Sequence, residues 1–303
     1  MTLSKVIKEL IRPLISNKMV NPVVMAISRL IRPFVSDDLL VRIPFNGVVR
    51  CQLGDSKTLA LCSEADDPMV SGLYFRGLDG YEPESIDLYR TLAQNAKTIL
   101  DIGANTGIYA MVAGVENPLS QVHAFEPVPR IYKRLVKNRD LNQAHNVQLT
   151  QCVVADFCGQ TTLYIPIGKM PTSSSTAKGH RRAEEAIEVS TITLDQYVDT
   201  QHIARVDLIK IDTETTEPQV LKGGRKLIER DRPIIICEVL RTHWGKAIEE
   251  TLAGLGYNYY WITAKGLVKR DTIEGDPDFK YLNYLFIQPS QLALVESKIC
   301  LDK

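Results

Sequence analysis

Acidic side chains close four short apolar runs of this 303-residue chain: Asp101 ends TILD, Glu126 ends QVHAFE, Asp212 ends VDLIKID and Glu238 ends PIIICE. A carboxylate accepts hydrogen bonds from hydroxyls, pairs with a cation, or takes a proton from an attacking oxygen. Four of them at matching positions suit a site for a hydroxyl-bearing or positively charged ligand. Just past Glu238, in EVLRTHW, His243 adds an imidazole whose ordinary pKa of about 6.5 suits proton transfer near neutrality. Asp212, Glu214 and Glu238 are its rivals for that proton. The plainer roles are helix capping or acceptor orientation for the carboxylates, and a surface position beside Trp244 for the histidine.

Between Asp101 and the next apolar segment lie Gly103, Asn105 and Gly107, in DIGANTG. Glycine lets a backbone pass close to a ligand, because a side chain at such a turn would fill the ligand's space. Glu126 follows about 20 residues beyond the loop, where an acid accepts hydrogen bonds from ribose hydroxyls. The dinucleotide pattern G-x-G-x-x-G requires a second glycine where Asn105 stands. Asp101 would also repel a diphosphate, whereas it suits the ammonium of a methionine moiety. Together these residues favour S-adenosylmethionine. A nicotinamide-dependent oxidoreductase is the reading they argue against, and a strand-to-helix turn with incidental glycines is the plain alternative.

The elements that must position these groups alternate. TILD, QVHAFE, NVQLTQCVVA (a third strand ending near Asp156), VDLIKID and PIIICEV read as strands. IYAMVAGV, PVPRIYKRLVKNRDLN, a segment from about Glu217 to Glu229 and one near 246–255 read as helices between or after them. TTLYIPIG and AIEVSTIT read as a hairpin, and YNYYWIT and YLNYLFIQ as the last strands. Such β-α units imply an α/β, mostly parallel sheet covered on both faces, with ligands outside the carboxyl ends of the strands. The intervening loop PTSSSTAKGHRR (171–182) is either an acceptor lid or a solvated loop.

Residues 1–80 have a different character. Leu3, Val6, Ile7, Leu10, Ile11 and Leu14 recur at helical spacing, a second apolar segment follows, and LIRP occurs twice, so a helical hairpin is expected. Up to Val35 there are six Lys or Arg and one acid. That composition suits an anionic membrane surface, while docking on the main domain or on a second copy in a homo-oligomer suits it at least as well. From 40 to 62, VRIPF, VVRCQL and TLALC, separated by Asn46-Gly47 and Gly54-Asp55, read as a small β appendage. The expected domains are therefore 1–80 and 81–303.

Lys plus Arg and Asp plus Glu each number 36, which excludes the overall basic field of a nucleic-acid binder. The six cysteines are scattered without C-x-x-C pairs and read as reduced core residues. No apolar window reaches about 18 residues and no secretory signal is seen, which gives a cytoplasmic expectation. No His-Cys cluster or calcium-loop spacing supports a metal.

The string ILDIGANTG, then HAFEPVP, VVADFCG, STITLDQYV, VDLIKIDTETTEPQVLKGG and RPIIICEVL resembles, in order and spacing, the FkbM-type S-adenosylmethionine-dependent methyltransferases. The resemblance covers roughly 80–240. It implies a Rossmann-like class I methyltransferase fold, a seven-stranded sheet with its last strand antiparallel, and methylation of a hydroxyl on a sugar, glycan or secondary metabolite. By the same resemblance Tyr81-Glu82 matches a glutamate just upstream of the cofactor strand. The implied cofactor residues are Glu82, Asp101, Gly103, Asn105, Gly107, Glu126 and Asp156, and the catalytic candidates are His243, Glu238 and Asp212. One departure stands out: the family's Glu-Gly-Ala-Glu is Glu214-Thr215-Thr216-Glu217 here. An altered acceptor loop beside an intact cofactor loop keeps a noncatalytic binding role open.

Overall fold

The structure is a computed structural model that describes residues 16–31, 34, 42–54, 56–166 and 184–300. The chain divides into two units, Met1–Pro83 with Asp140–Asn142, and Glu84–Arg139 with Gln143–Lys303. The first half of the expected helical hairpin and the 171–182 loop lie outside the described residues.

In the first unit, helix α1 (Asn21–Ile31) is fixed through its first residue. The Asn21 carboxamide donates to the Pro44 carbonyl at 2.7 Å and accepts from the Asn46 amide at 2.8 Å. A buried amide so satisfied gives the helix one register on the strand that follows. Strands β1 (Asn46–Gln52) and β2 (Thr58–Glu64) form one antiparallel hairpin, closed where the Leu53 amide donates to the Lys57 carbonyl. Asn46-Gly47 opens β1 rather than making a turn, since Asn46 pairs with Glu64 and Gly47 with Ser63 of β2. Helix α2 (Pro68–Arg76) starts with Asp67 accepting from the Met69 and Val70 amides and proline in its first turn, the expected chemistry of a helix start. Phe45 stacks on Tyr74 of α2 at 4.6 Å between centroids.

The second unit carries the alternating pattern. Helix α3 (Pro83–Ala93) buries Ile86, Leu88, Tyr89, Leu92 and Ala93, the residues whose spacing marked one face. In chain order there follow β3 (Thr98–Ile102), α4 (Ile108–Glu116), β4 (Gln121–Phe125), α5 (Pro129–Leu141), β5 (Val147–Thr150), β6 (Val153–Val154), β7 (Gly159–Pro166), β8 (Glu184–Ile192), α6 (Leu194–Thr200) and β9 (Leu208–Ile211). The series ends with α7 (Glu217–Gly223), α8 (Arg225–Asp231), β10 (Ile234–Glu238), α9 (Thr242–Leu252), β11 (Asn258–Thr263), β12 (Gly266–Arg270) and β13 (Asn283–Ile287). The main sheet runs β12-β11-β13-β10-β9-β3-β4-β5. Strands β5, β4, β3, β9 and β10 are parallel, and β13, the last in the chain, inserts antiparallel between β10 and β11. This is the Rossmann-like class I methyltransferase sheet.

Three details differ from the sequence reading. Among the described residues the sheet has eight strands, because β12 folds back on β11 through Ala264-Lys265. That turn has no Asn-Gly signal and β12 is only partly buried, so neither turn chemistry nor apolar periodicity announced it. The expected third strand is two: β5 is the edge of the main sheet, and the chain then leaves it as β6, which pairs with β8 in the separate sheet β6-β8-β7. The helix expected over 217–229 breaks at Gly224, where Asp195 of α6 caps α8 by accepting from the Lys226 and Leu227 amides. Of the six cysteines, all free, four are buried; Cys158 is exposed and Cys300 half-buried.

Candidate active site

Alternation along β3 and β9 decides which side chains meet. Leu100 pairs with Ile209 and Ile102 with Ile211, and all four join the large apolar cluster with α6, α7 and α8 residues. Asp101, paired with Lys210, must therefore share the opposite face with it.

At the end of β3 the chain turns through Gly103, which has φ +81, and a Cβ there would lie 1.8 Å from the Asp212 carbonyl oxygen. Only glycine allows β9 to pass this close. Gly107 has φ +97, and a Cβ would lie 2.3 Å from Leu135. Asn105 takes φ +51, a conformation asparagine tolerates, and its side chain accepts from the Thr106 amide. Glu126 pins this loop: Oε2 accepts from the Asn105 amide at 3.0 Å and Oε1 from the Val128 amide at 2.8 Å. Burial pushes its carboxyl up to about 7, the two backbone bonds oppose this, and the neighbouring Asp101 adds to it.

Asp101 is also buried, and its Oδ2 has no hydrogen-bond partner. Burial raises its carboxyl to about 7, Lys210 and a backbone bond from Ala110 pull it down, and Asp212 pushes it up. The Tyr89 hydroxyl, buried without a hydrogen-bond partner, is raised first by burial and then by Asp101.

Lys210 links this end of the site to the next strands. Its ammonium donates to Asp212 Oδ2 at 3.2 Å, Asn283 Oδ1 at 3.1 Å and the Ile211 carbonyl at 3.4 Å, and lies 4.9 Å above the Tyr109 ring. Asn283 opens β13 opposite Glu238, the end of β10. Glu238 is buried with Oε2 unpartnered, and carboxylate oxygens of Asp212 and Glu238 lie within 4.8 Å of each other. Burial, then Asp212, Glu214 and Glu217, drive the Glu238 carboxyl well above the usual range, against the pull of Lys210.

Residues 101–259 match the model of the methyltransferase FkbM domain, just over half of the chain. The protein belongs to the FkbM methyltransferase family. Its relatives include methyltransferase sdnD of Sordaria araneosa, 27% identical over 59% of this chain and 77% of that one. Another is 31-O-demethyl-FK506 methyltransferase FkbM of Streptomyces tacrolimicus, 30% identical over 41% of this chain and 58% of that one. A third is hexuronic acid methyltransferase AglP of Haloferax volcanii, 24% identical over 50% of this chain and 60% of that one. The chain thus spans less than two thirds of the second and third relatives.

In this FkbM domain the loop after β9 holds Glu214 at φ +53 and Thr215 at φ +88. A β-branched residue there is strained, on the order of 1–3 kcal/mol. The Glu217 carboxylate counters it, with Oε1 accepting from the Thr213 amide and hydroxyl and from the Thr215 amide. The threonine thus occupies a glycine-like backbone instead of reshaping it.

The remaining candidates stand on other elements. Asp156 follows β6, and its carboxylate pairs with Lys222 at 2.7 Å on a groove that Gln219 and Arg225 also line. His243 is in the first turn of α9, after β10; its side chain is outside what the structure describes. Glu82 belongs to the first unit, with φ +40. Sequence reasoning missed Lys210, Asn283, Tyr89 and Glu217. Lys210 had a readable signal: a lone lysine inside an apolar strand, two residues before Asp212 and so on its face.

Proposed function

We propose that this FkbM domain transfers a methyl group from S-adenosylmethionine to a hydroxyl of a sugar, glycan or secondary metabolite. Asp101 carries the cofactor reading: a buried carboxyl beside a glycine loop, with Oδ2 lacking any donor. Such an acceptor is costly to leave unmatched, and an ammonium is the donor whose charge complements it. Glu126 uses one bond per oxygen to hold the loop and keeps lone pairs for ribose hydroxyls. The residues present therefore fit the cofactor.

When bound, the cofactor supplies an activated methyl group on a sulfonium. The chain's own task is to hold an acceptor oxygen in line and to manage its proton. Glu238, whose carboxyl burial and the neighbouring Asp212 push above the usual range, helps orient that oxygen, and Asp212, anchored by Lys210, accepts a hydrogen bond from it. His243, at the start of α9, takes the proton, with Asp212 as the rival base. The names of two relatives, one acting on 31-O-demethyl-FK506 and one on a hexuronic acid, support an oxygen-rich acceptor.

The test is calorimetric titration with S-adenosylmethionine, followed by labelled-methyl incorporation across sugars, uronic acids and polyhydroxylated metabolites. Incorporation that Asp212→Asn abolishes supports the assignment. Cofactor affinity with no transfer to any oxygen acceptor leads instead to a noncatalytic binding role, and no affinity at all overturns the site.

A further inference from the structure

Helix α1 faces the wrong way for an ordinary surface helix. Asn21, Met25 and Ser28, at intervals of four and three, are its buried side, and the two polar members are satisfied there: Asn21 by Pro44 and Asn46, Ser28 by the Met25 carbonyl at 2.9 Å. The turn that precedes α1 is already helical in its bonding, since the Asn21 amide donates to the Asn17 carbonyl at 2.8 Å. Along the opposite side run Met19, Val23, Ile27 and Leu30, at intervals of four, four and three, and Phe34 follows. These five side chains are between 53% and 88% exposed. Single exposed apolar residues need no explanation, but a stripe of them on one helix face marks a surface with a partner.

Charge identifies the partner. Up to Val35 the sequence has Lys5, Lys8, Arg12, Lys18, Arg29 and Arg32 against Glu9 alone, and the next acid comes only at Asp37. A second copy would bring a second stretch of the same net positive charge, which opposes that pairing. An anionic lipid surface instead offers an apolar layer for the stripe and negative headgroups for the basic side chains. No helix among the described residues is long and apolar enough to cross a membrane, so the helix would lie in the interface.

We propose that the Met19–Val23–Ile27–Leu30 face of α1 binds the surface of an anionic lipid bilayer. The proposal is independent of the methyl-transfer reading.

The test is flotation of the full chain with two sets of vesicles, phosphatidylcholine alone and phosphatidylcholine with roughly one third phosphatidylserine. The wild type should float with the anionic vesicles only, and less so as salt rises. The double variant Ile27→Glu/Leu30→Glu changes exposed side chains, so it should keep the wild-type melting temperature while losing about tenfold or more of the binding. The proposal is overturned if the wild type binds neither vesicle or both equally, or if the double variant binds as the wild type does. It is also overturned if sedimentation shows a dimer that the double variant dissociates, since that makes the face a contact between copies.

Discussion

The ammonium of Lys210 is wholly buried and lies 3.2 Å from Asp212 Oδ2, two residues along the same strand. A lysine in that position is stable only with its partners. Removing one member of a buried pair costs on the order of 3 kcal/mol, here reduced because the Asp212 side chain is about one fifth exposed. Lys210→Met should therefore lower stability by roughly 2 kcal/mol in urea titration and weaken methyl transfer, because Asp212 and Asn283 lose their shared donor. A variant as stable and as active as wild type would show the lysine to be dispensable.

Glu126 gives a second test, because its two oxygens already serve two backbone amides. Glu126→Ala leaves both donors unmatched as well as removing the ribose acceptor. Cofactor affinity should fall by about 1.5–3 kcal/mol, the range for hydrogen bonds to a charged group, and the melting temperature should fall with it. Glu126→Gln keeps one acceptor and should lie between. Calorimetry giving unchanged affinity in the alanine variant would remove Glu126 from the site.

Asp101 and Glu126 both have carboxyls raised to about 7 in the folded chain, from 3.8 and 4.5. Between those values and about 7 the folded state holds protons that the unfolded state releases. Their contribution to stability is thus complete below about pH 4 and is lost as pH rises through about 7. A cation bound at Asp101 favours the ionised form, so cofactor affinity should strengthen as pH rises toward 7 and then level off, with proton release on binding. Calorimetry in buffers of differing ionisation heat measures that release. Asp101→Asn should remove both the release and much of the pH slope.

The cofactor loop was legible because its chemistry is local: Gly103, Asn105 and Gly107 take positive φ, and the residue types alone say so. Glu126 was found by spacing, although its use of both oxygens to pin the loop depends on Asn105 and Val128 lying near it in space. What escaped depends on distant partners. The break at Gly224 is set by Asp195 on another helix, and β6 leaves the main sheet because β8, residues later, offers it an edge. Lys210 could have been read from strand alternation, but Asn283 could not, since its role comes from β13 inserting beside β10.

Thr215 at φ +88 sets up a substitution that should help stability. Thr215→Gly relieves strain of about 1–3 kcal/mol and gives back roughly 0.5–1 kcal/mol in unfolded-chain entropy. A net gain of about 1 kcal/mol in urea titration is expected. A loss instead would mean that the largely buried threonine side chain contributes more than its backbone costs.

The identity of the base is the last prediction. If His243 accepts the acceptor's proton, the rate should rise with pH and then level off, because the neutral imidazole is the accepting form. His243→Ala should then lose about 10²- to 10⁴-fold in turnover while binding the cofactor normally. Glu238 orients the acceptor rather than taking its proton in this reading, so Glu238→Gln, which keeps a polar group of the same size, should cost far less than the histidine variant. Asp212→Asn serves as the contrast. Should that variant lose turnover by the same factor while His243→Ala keeps both rate and pH profile, the proton goes to the carboxylate that Lys210 anchors, and the histidine on α9 has no part in the chemistry.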